Sequence, residues 1–385
     1  MIQQQRGGTV LNEIRDRRIS AVRSQFHAFG VDMAIVYSNG QSSFPEMDPF
    51  YYLSDFKPIG SHSALFLPKD GDPILMITPR CDEERAKRVA WIDNIIATND
   101  FAAEFSRLII EKKWRKARVG LAGARRLTKP MQSMMESQFE GSFQLNEQIA
   151  INTARTFDDL EMTRAKKASE IAELGYQYLL QIARPGMKEY ELAAETYCYM
   201  KALGADDDFL LLTASQHNSA VTSPQDRRLD VGDVILGEIS PSYEGQFVQI
   251  CRTAVIGSAT PLQLDKYQIL IDAMVTGMKT GVPGARAKDV TKAVNDSIAK
   301  SGYGKYCYPP YMRVRGHGLG LGSVQPGQLS MENETVLEEG MIFILHPNQY
   351  IPETGYLLCG ESVVVTKTGL KPLTSRQLAL DAILV

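Results

Sequence analysis

The 385-residue chain predicts an α/β domain followed by an α+β domain that contains an internal pseudo-two-fold repeat. Three observations predict it. Residues 1–155 alternate short apolar runs with amphipathic stretches. From Thr156 the texture changes to long helices followed by paired strands. This second part, 156–385, also repeats itself: "PGMKEYELAAETYCYMKALG" (185–204) matches "PGARAKDVTKAVNDSIAKSG" (283–302), and "LDVGDVILGEIS" (229–240) matches "LEEGMIFILHPN" (337–348).

In the first part, "RISAVRSQFHAFGV" has helical apolar spacing and "DMAIVYS" is a short strand. "HSALFLPKDGDPILMI" reads as a hairpin that turns at Lys69–Asp72. A charged helix, "CDEERAKRVA", precedes the strand "DNIIAT", and the basic run "KKWRKAR" reads as a solvated helix face. In the second part, "FDDLEMTRAKKASEIAELGYQYLLQIA" is a long amphipathic helix with Asp158 or Asp159 as favourable charge at its start. Arg184-Pro185-Gly186 ends it, and the following helix stops at Gly204. Each copy of the repeat then supplies two strands, "GQFVQICRTAVIG" and "GYLLCGESVVVT" being the second of each pair.

Composition narrows the function classes. The apolar fraction is 44% and the charged fraction 23%, ordinary for a soluble globular protein. A net charge of −3 gives no nucleic-acid footprint and no polybasic membrane patch. No apolar run approaches the roughly 18 residues that span a bilayer, and the N-terminus lacks a signal peptide's apolar core. The five cysteines are scattered and odd in number, which suits a reducing cytoplasm and not a disulfide framework.

The repeat also selects candidate functional residues. Six positions after the shared glycine, one copy has Glu238 and the other His346, each at the end of a buried strand. A carboxylate and an imidazole at matched buried sites are costly unless they are used or hydrogen-bonded. The plainer role for either is a structural hydrogen bond across the two-fold.

These motifs carry a resemblance. "PFYYLSDF", "GHGLGLGSVQPG", "LEEGMIFILHP" and "ESVVVT" stand in the order and spacing of the creatinase/aminopeptidase P/prolidase group, over nearly the whole chain. The resemblance implies a creatinase-like N-terminal domain (1–155), a pita-bread catalytic domain (156–385) and a homodimer. The peptidases of that group use five metal ligands, two Asp, one His and two Glu. Carried over, those positions are Glu238, Gln249, His317, His346 and Gly360, with Glu361 adjacent. The histidine that follows the glycine-rich motif becomes Val324. The one ahead of the first strand falls near Ser223, with His217 six residues upstream.

One carboxylate, one amide and two imidazoles supply too little negative charge for two divalent ions. The resemblance therefore points to the metal-free branch that includes creatinase and ectoine hydrolase. The expected function is a metal-independent, cofactor-free hydrolase cleaving an amidine or amide C–N bond of a small carboxylated substrate. Glu238, His317, His346 and Glu361 would be catalytic. Arg313 and Arg315 are candidate carboxylate clamps, and Gln249, His217 and His62 further substrate contacts. Two alternatives stay open: a mononuclear Xaa-Pro-type metallopeptidase using Glu238, His317 and His346, and a non-catalytic binding relative.

Overall fold

A computed structural model describes residues 9–41, 44, 46–321 and 324–384. The chain divides into two compact units, 1–43 with 47–155, and 44–46 with 156–385.

The first unit is a six-stranded mixed sheet: β1 (Met33–Ser38), β2 (Ser63–Pro68), β3 (Ile74–Ile77), β4 (Ile95–Ala97), β5 (Val119–Ala122) and β6 (Phe143–Leu145). They lie in the order β4-β3-β2-β1-β5-β6. β2 and β3 form the expected antiparallel hairpin. Runs such as Met33–Tyr37 and Ala64–Leu67 are buried throughout, as strands covered by helices should be. "KKWRKAR" departs from its expectation. Helix Phe101–Glu111 ends before it, and Lys113 takes a left-handed conformation at φ 58°. Trp114, in the middle of the run, stacks on Phe66 at 6.0 Å, so burial of one aromatic outweighs the helical charge pattern.

In the second unit, helices Asp159–Ile182 and Glu189–Ala202 precede β7 (Asp207–Ser215), β8 (Val234–Tyr243), β9 (Gln246–Phe247) and β10 (Ile250–Ile256). Helices Pro261–Thr280 and Ala287–Ile298 then precede β11 (Gly316–Gly318), β12 (Ile342–Leu345), β13 (Gln349–Ile351), β14 (Gly355–Leu357), β15 (Glu361–Thr366), β16 (Gly369–Pro372) and β17 (Asp381–Ile383). Asp158 caps the first of these helices, accepting from the Leu160 and Glu161 amides in a capping box.

The repeat in the sequence is a repeat in backbone. Gly232 and Gly340, the matched turn glycines, have φ of 86° and 89°, values open to glycine and strained for other residues. Gly186 donates to the Leu229 carbonyl at 2.8 Å, and Gly284 donates to the Leu337 carbonyl at 2.9 Å. The two sheets run β17-β10-β8-β7 and β11-β12-β15-β16. They meet where Cys251 and Gly360 exchange backbone hydrogen bonds of 3.1 and 3.0 Å. No helix among the described residues is long and apolar enough to cross a membrane.

Candidate functional site

The seam between the two sheets sets the site. Glu238 on β8 is in register with Cys251 on β10, and Cys251 with Gly360. Leu345 pairs with Glu361, so the next pair along is His346 and Gly360. One row therefore reads Glu238, Cys251, Gly360, His346. The row beside it holds Ser240, Gln249, Ser362 and Ile344, with His317 opposite Ile344. Side chains two residues apart on a strand share a face, so Glu238, Gln249, His317 and His346 all belong to one face of the joined sheets.

Glu238 is partly buried. Its Oε2 accepts from Gln249 Nε2 at 3.3 Å and its Oε1 from Asn348 Nδ2 at 3.4 Å. Both bonds are long. Burial pushes its carboxyl up to about 7, against the Gln249 hydrogen bond, which favours the charged form. His317 Nδ1 lies 3.0 Å from the Gly318 carbonyl. A carbonyl only accepts, so Nδ1 carries the proton and Nε2 keeps its lone pair. Burial lowers the affinity of His317 for a second proton. His346 is 8% exposed, and burial, followed by the neighbouring charge of His317, pushes it down to about 3, so it is a neutral imidazole. The two rings are 6.1 Å apart. Three buried polar atoms on this face have no hydrogen-bond partner: Ser240 Oγ, Gln249 Oε1 and His346 Nδ1.

The other expected residues lie elsewhere. The Glu361 carboxylate is committed to Arg252 at 2.6 Å, both side chains 2% exposed, and to the Thr374 hydroxyl, so it orients no imidazole. Successive strand residues point to opposite faces, which puts it behind the site. Arg315 is 1% exposed, and its guanidinium donates to Asn295 Oδ1, the Asn348 carbonyl and Gln349 Oε1 at 2.7 to 2.9 Å. It is a structural pin and no carboxylate clamp. Arg313 is exposed and lines a cleft with Thr291, Met312 and Glu332. His217 is exposed and donates Nε2–H to the Pro352 carbonyl at 2.9 Å. His62 belongs to the first unit, where its Nδ1 is 2.7 Å from the Tyr37 hydroxyl.

Residues that no motif marked complete the surroundings. Asn348 accepts from the Cys359 amide at 2.9 Å, which aims its amide nitrogen at Glu238. Phe44 stacks on Phe209 at 4.9 Å and meets the His317 ring edge-on at 5.3 Å. The alternation of β7 marks Phe209 as lying on the Glu238 face, but nothing local links Phe44 to it.

The donor set does not fit a two-metal centre. A side chain at 360 would begin with a Cβ 2.8 Å from that of Cys251 and 2.9 Å from that of His346. Gln249 turns an N–H donor, not a lone pair, toward Glu238. Glu238 and His346 stand three strand spacings apart along their row, about 14 Å between backbones. Among the described residues no three His, Cys, Asp or Glu side chains gather closely enough to hold an ion.

Comparison with known proteins places this geometry. The Creatinase/Prolidase N-terminal domain model matches residues 18–156, and the model of metallopeptidase family M24 matches residues 163–367. An Xaa-Pro dipeptidase of Pyrococcus furiosus is 27% identical over 331 residues, covering 85% of this chain and 91% of that protein. The prolidase of Pyrococcus horikoshii superposes with a TM-score of 0.80 at 22% identity, covering 94% of this chain and 98% of that one. An Xaa-Pro dipeptidase of Bacillus anthracis gives 0.81 at 21%, covering 96% and 99%. At these identities the two structures establish the fold, and the two-part architecture expected from sequence is the one they share. The expectation of a metal-independent amidine or amide hydrolase of the creatinase and ectoine hydrolase branch is overturned, because the relatives are Xaa-Pro dipeptidases and the matching family is one of metallopeptidases. The chain belongs to metallopeptidase family M24.

Proposed function

We propose that this chain is an Xaa-Pro-type peptidase, hydrolysing the amide bond ahead of proline in a short peptide on the face that carries Glu238, Gln249, His317 and His346. The observation that carries this reading is the convergence on one face of Glu238, whose carboxyl burial pushes up to about 7, and His317, whose Nε2 keeps its lone pair. The Xaa-Pro dipeptidase relatives, one matched over 85% of this chain, support the same substrate class.

Amide hydrolysis needs a proton acceptor for the attacking water and a proton for the leaving nitrogen. Glu238, the only carboxylate on this face of the two rows, accepts the proton of the water. Gln249 and Asn348 hold its two oxygens in place. Glu238 then passes that proton to the leaving nitrogen, because His317, with its proton fixed on Nδ1 by Gly318, has at Nε2 a lone pair that orients the water and no proton to give. No step is assigned to a metal, because the residues present do not fit the two-metal centre that the resemblance implies.

The test is release of proline from an Xaa-Pro dipeptide panel, with Xaa-Ala peptides as controls, by the purified protein with and without added divalent ions. Glu238→Gln is expected to lower kcat/KM by about 10²-fold or more. Absence of proline release by the wild-type protein under every ion condition overturns the reading.

A further inference from the structure

The second unit holds a buried positive charge that no described carboxylate answers. Arg315 is 1% exposed, and the bonds that pin it go to Asn295 Oδ1, the Asn348 carbonyl and Gln349 Oε1, all neutral acceptors. A guanidinium carries five N–H groups, so two are left without an oxygen acceptor. Arg252 and Arg164, buried to a similar degree, each hold a carboxylate, Glu361 at 2.6 Å and Glu244 at 3.0 Å. Among the described residues Arg315 has no such partner. The neighbouring Cys307 does not supply one, because burial pushes its thiol up and keeps it neutral. A buried charge without a counter-charge is costly, and buried charges in folded proteins are paired.

Arg315 also lines a cleft of about 270 Å³, together with Arg313 and Glu332. None of Glu238, Gln249, His317 and His346 lines it, so it is separate from the proposed catalytic face. Arg313 is exposed and has no side-chain partner among the described residues. Two cations against the single Glu332 leave the lining with one net positive charge, which suits a monoanion. Pro309, Met312 and Met331 add apolar surface, and the volume lies just under the roughly 300–1,000 Å³ of drug-sized ligand sites. A guanidinium presents its N–H groups as a planar fork that fits a carboxylate. We propose that this cleft binds a small monocarboxylate with an apolar body, a free amino acid or a simple acid, Arg313 taking the carboxylate directly and Arg315 supplying the buried charge behind it. The site does not depend on the peptidase reading.

Calorimetric titration of the full chain with 4-methylpentanoate, leucine, 4-methylpentanamide and inorganic phosphate tests this. At least one of the two carboxylates is expected to bind at one molecule per chain. The amide, with the same body and no charge, and phosphate, with no apolar body, should bind at least about tenfold more weakly. Whichever of leucine and 4-methylpentanoate binds tighter tells an amino acid from a simple acid. Arg313→Gln, a change at an exposed position, should weaken carboxylate binding about tenfold. Glu332→Gln should tighten 4-methylpentanoate, and Glu238→Gln should leave its affinity unchanged. Absence of carboxylate binding, equal binding of the amide, or a preference for phosphate overturns the inference. So does carboxylate binding that survives Arg313→Gln and is lost in Glu238→Gln, which would move it to the catalytic face. Binding is read without turnover, so a failed proline-release assay leaves this result standing, and a failed titration leaves the peptidase reading standing.

Discussion

At the residue scale, the informative groups are buried ones whose partners the strand register decides. Asp208 on β7 is one. Alternation turns it away from the Glu238 face, neither oxygen makes an ordinary hydrogen bond, and burial pushes it up to about 7. A carboxyl with a raised folded pKa stays protonated in the fold while the unfolded chain ionises near pH 4. Stability should therefore fall as pH rises from about 4 to about 7 and level off above that. Asp208→Asn removes this slope: it should match the wild type below pH 4 and exceed it at pH 8 by at most about 4 kcal/mol. Urea denaturation at both pH values checks this, and a gain equal at both would show that ionisation is not the cause. The sequence exposed Glu238, Gln249, His317 and His346 because each stands where a motif or the repeat marks it. It hid Asn348 and Phe44, whose roles depend on distances across more than 100 residues of chain, and it misplaced Glu361 by a single step along β15, which is enough to reverse a strand's face.

At the element scale, the seam between β10 and β15 decides what the site can hold. A Cβ added at Gly360 would lie 2.8 to 2.9 Å from the Cys251 side chain and the His346 Cβ, closer than real Cβ atoms pack. Gly360→Ala is therefore expected to lower stability by about 1–3 kcal/mol through overpacking. A shift of the urea midpoint measures this, and an unchanged midpoint would mean the strands separate easily. The helices and strands themselves were readable from Pro-Gly punctuation and apolar period. The seam was not, because an inter-sheet contact leaves no local pattern. The same limit explains "KKWRKAR", where its charge suggested a helix face and the burial of Trp114 against Phe66 instead holds a turn.

At the scale of the molecule, the duplicated unit explains both what the sequence disclosed and what it obscured. Two copies of helix–helix–strand–strand, punctuated by matching glycines, made the elements of the second unit legible. The substituted ligand positions then suggested a metal-free subclass, and the relatives overturn it. The donor set still makes a stoichiometric prediction. After loading with zinc or manganese and dialysis, the protein should retain fewer than two ions per chain by elemental analysis, and two tightly held ions would overturn the fit described above. The seam has one more consequence, for substitution. Any side chain placed at 360 meets the Cys251 side chain and the His346 Cβ, so a carboxylate installed there must displace both neighbours at once. The row Glu238, Cys251, Gly360, His346 thus guards its own composition through packing.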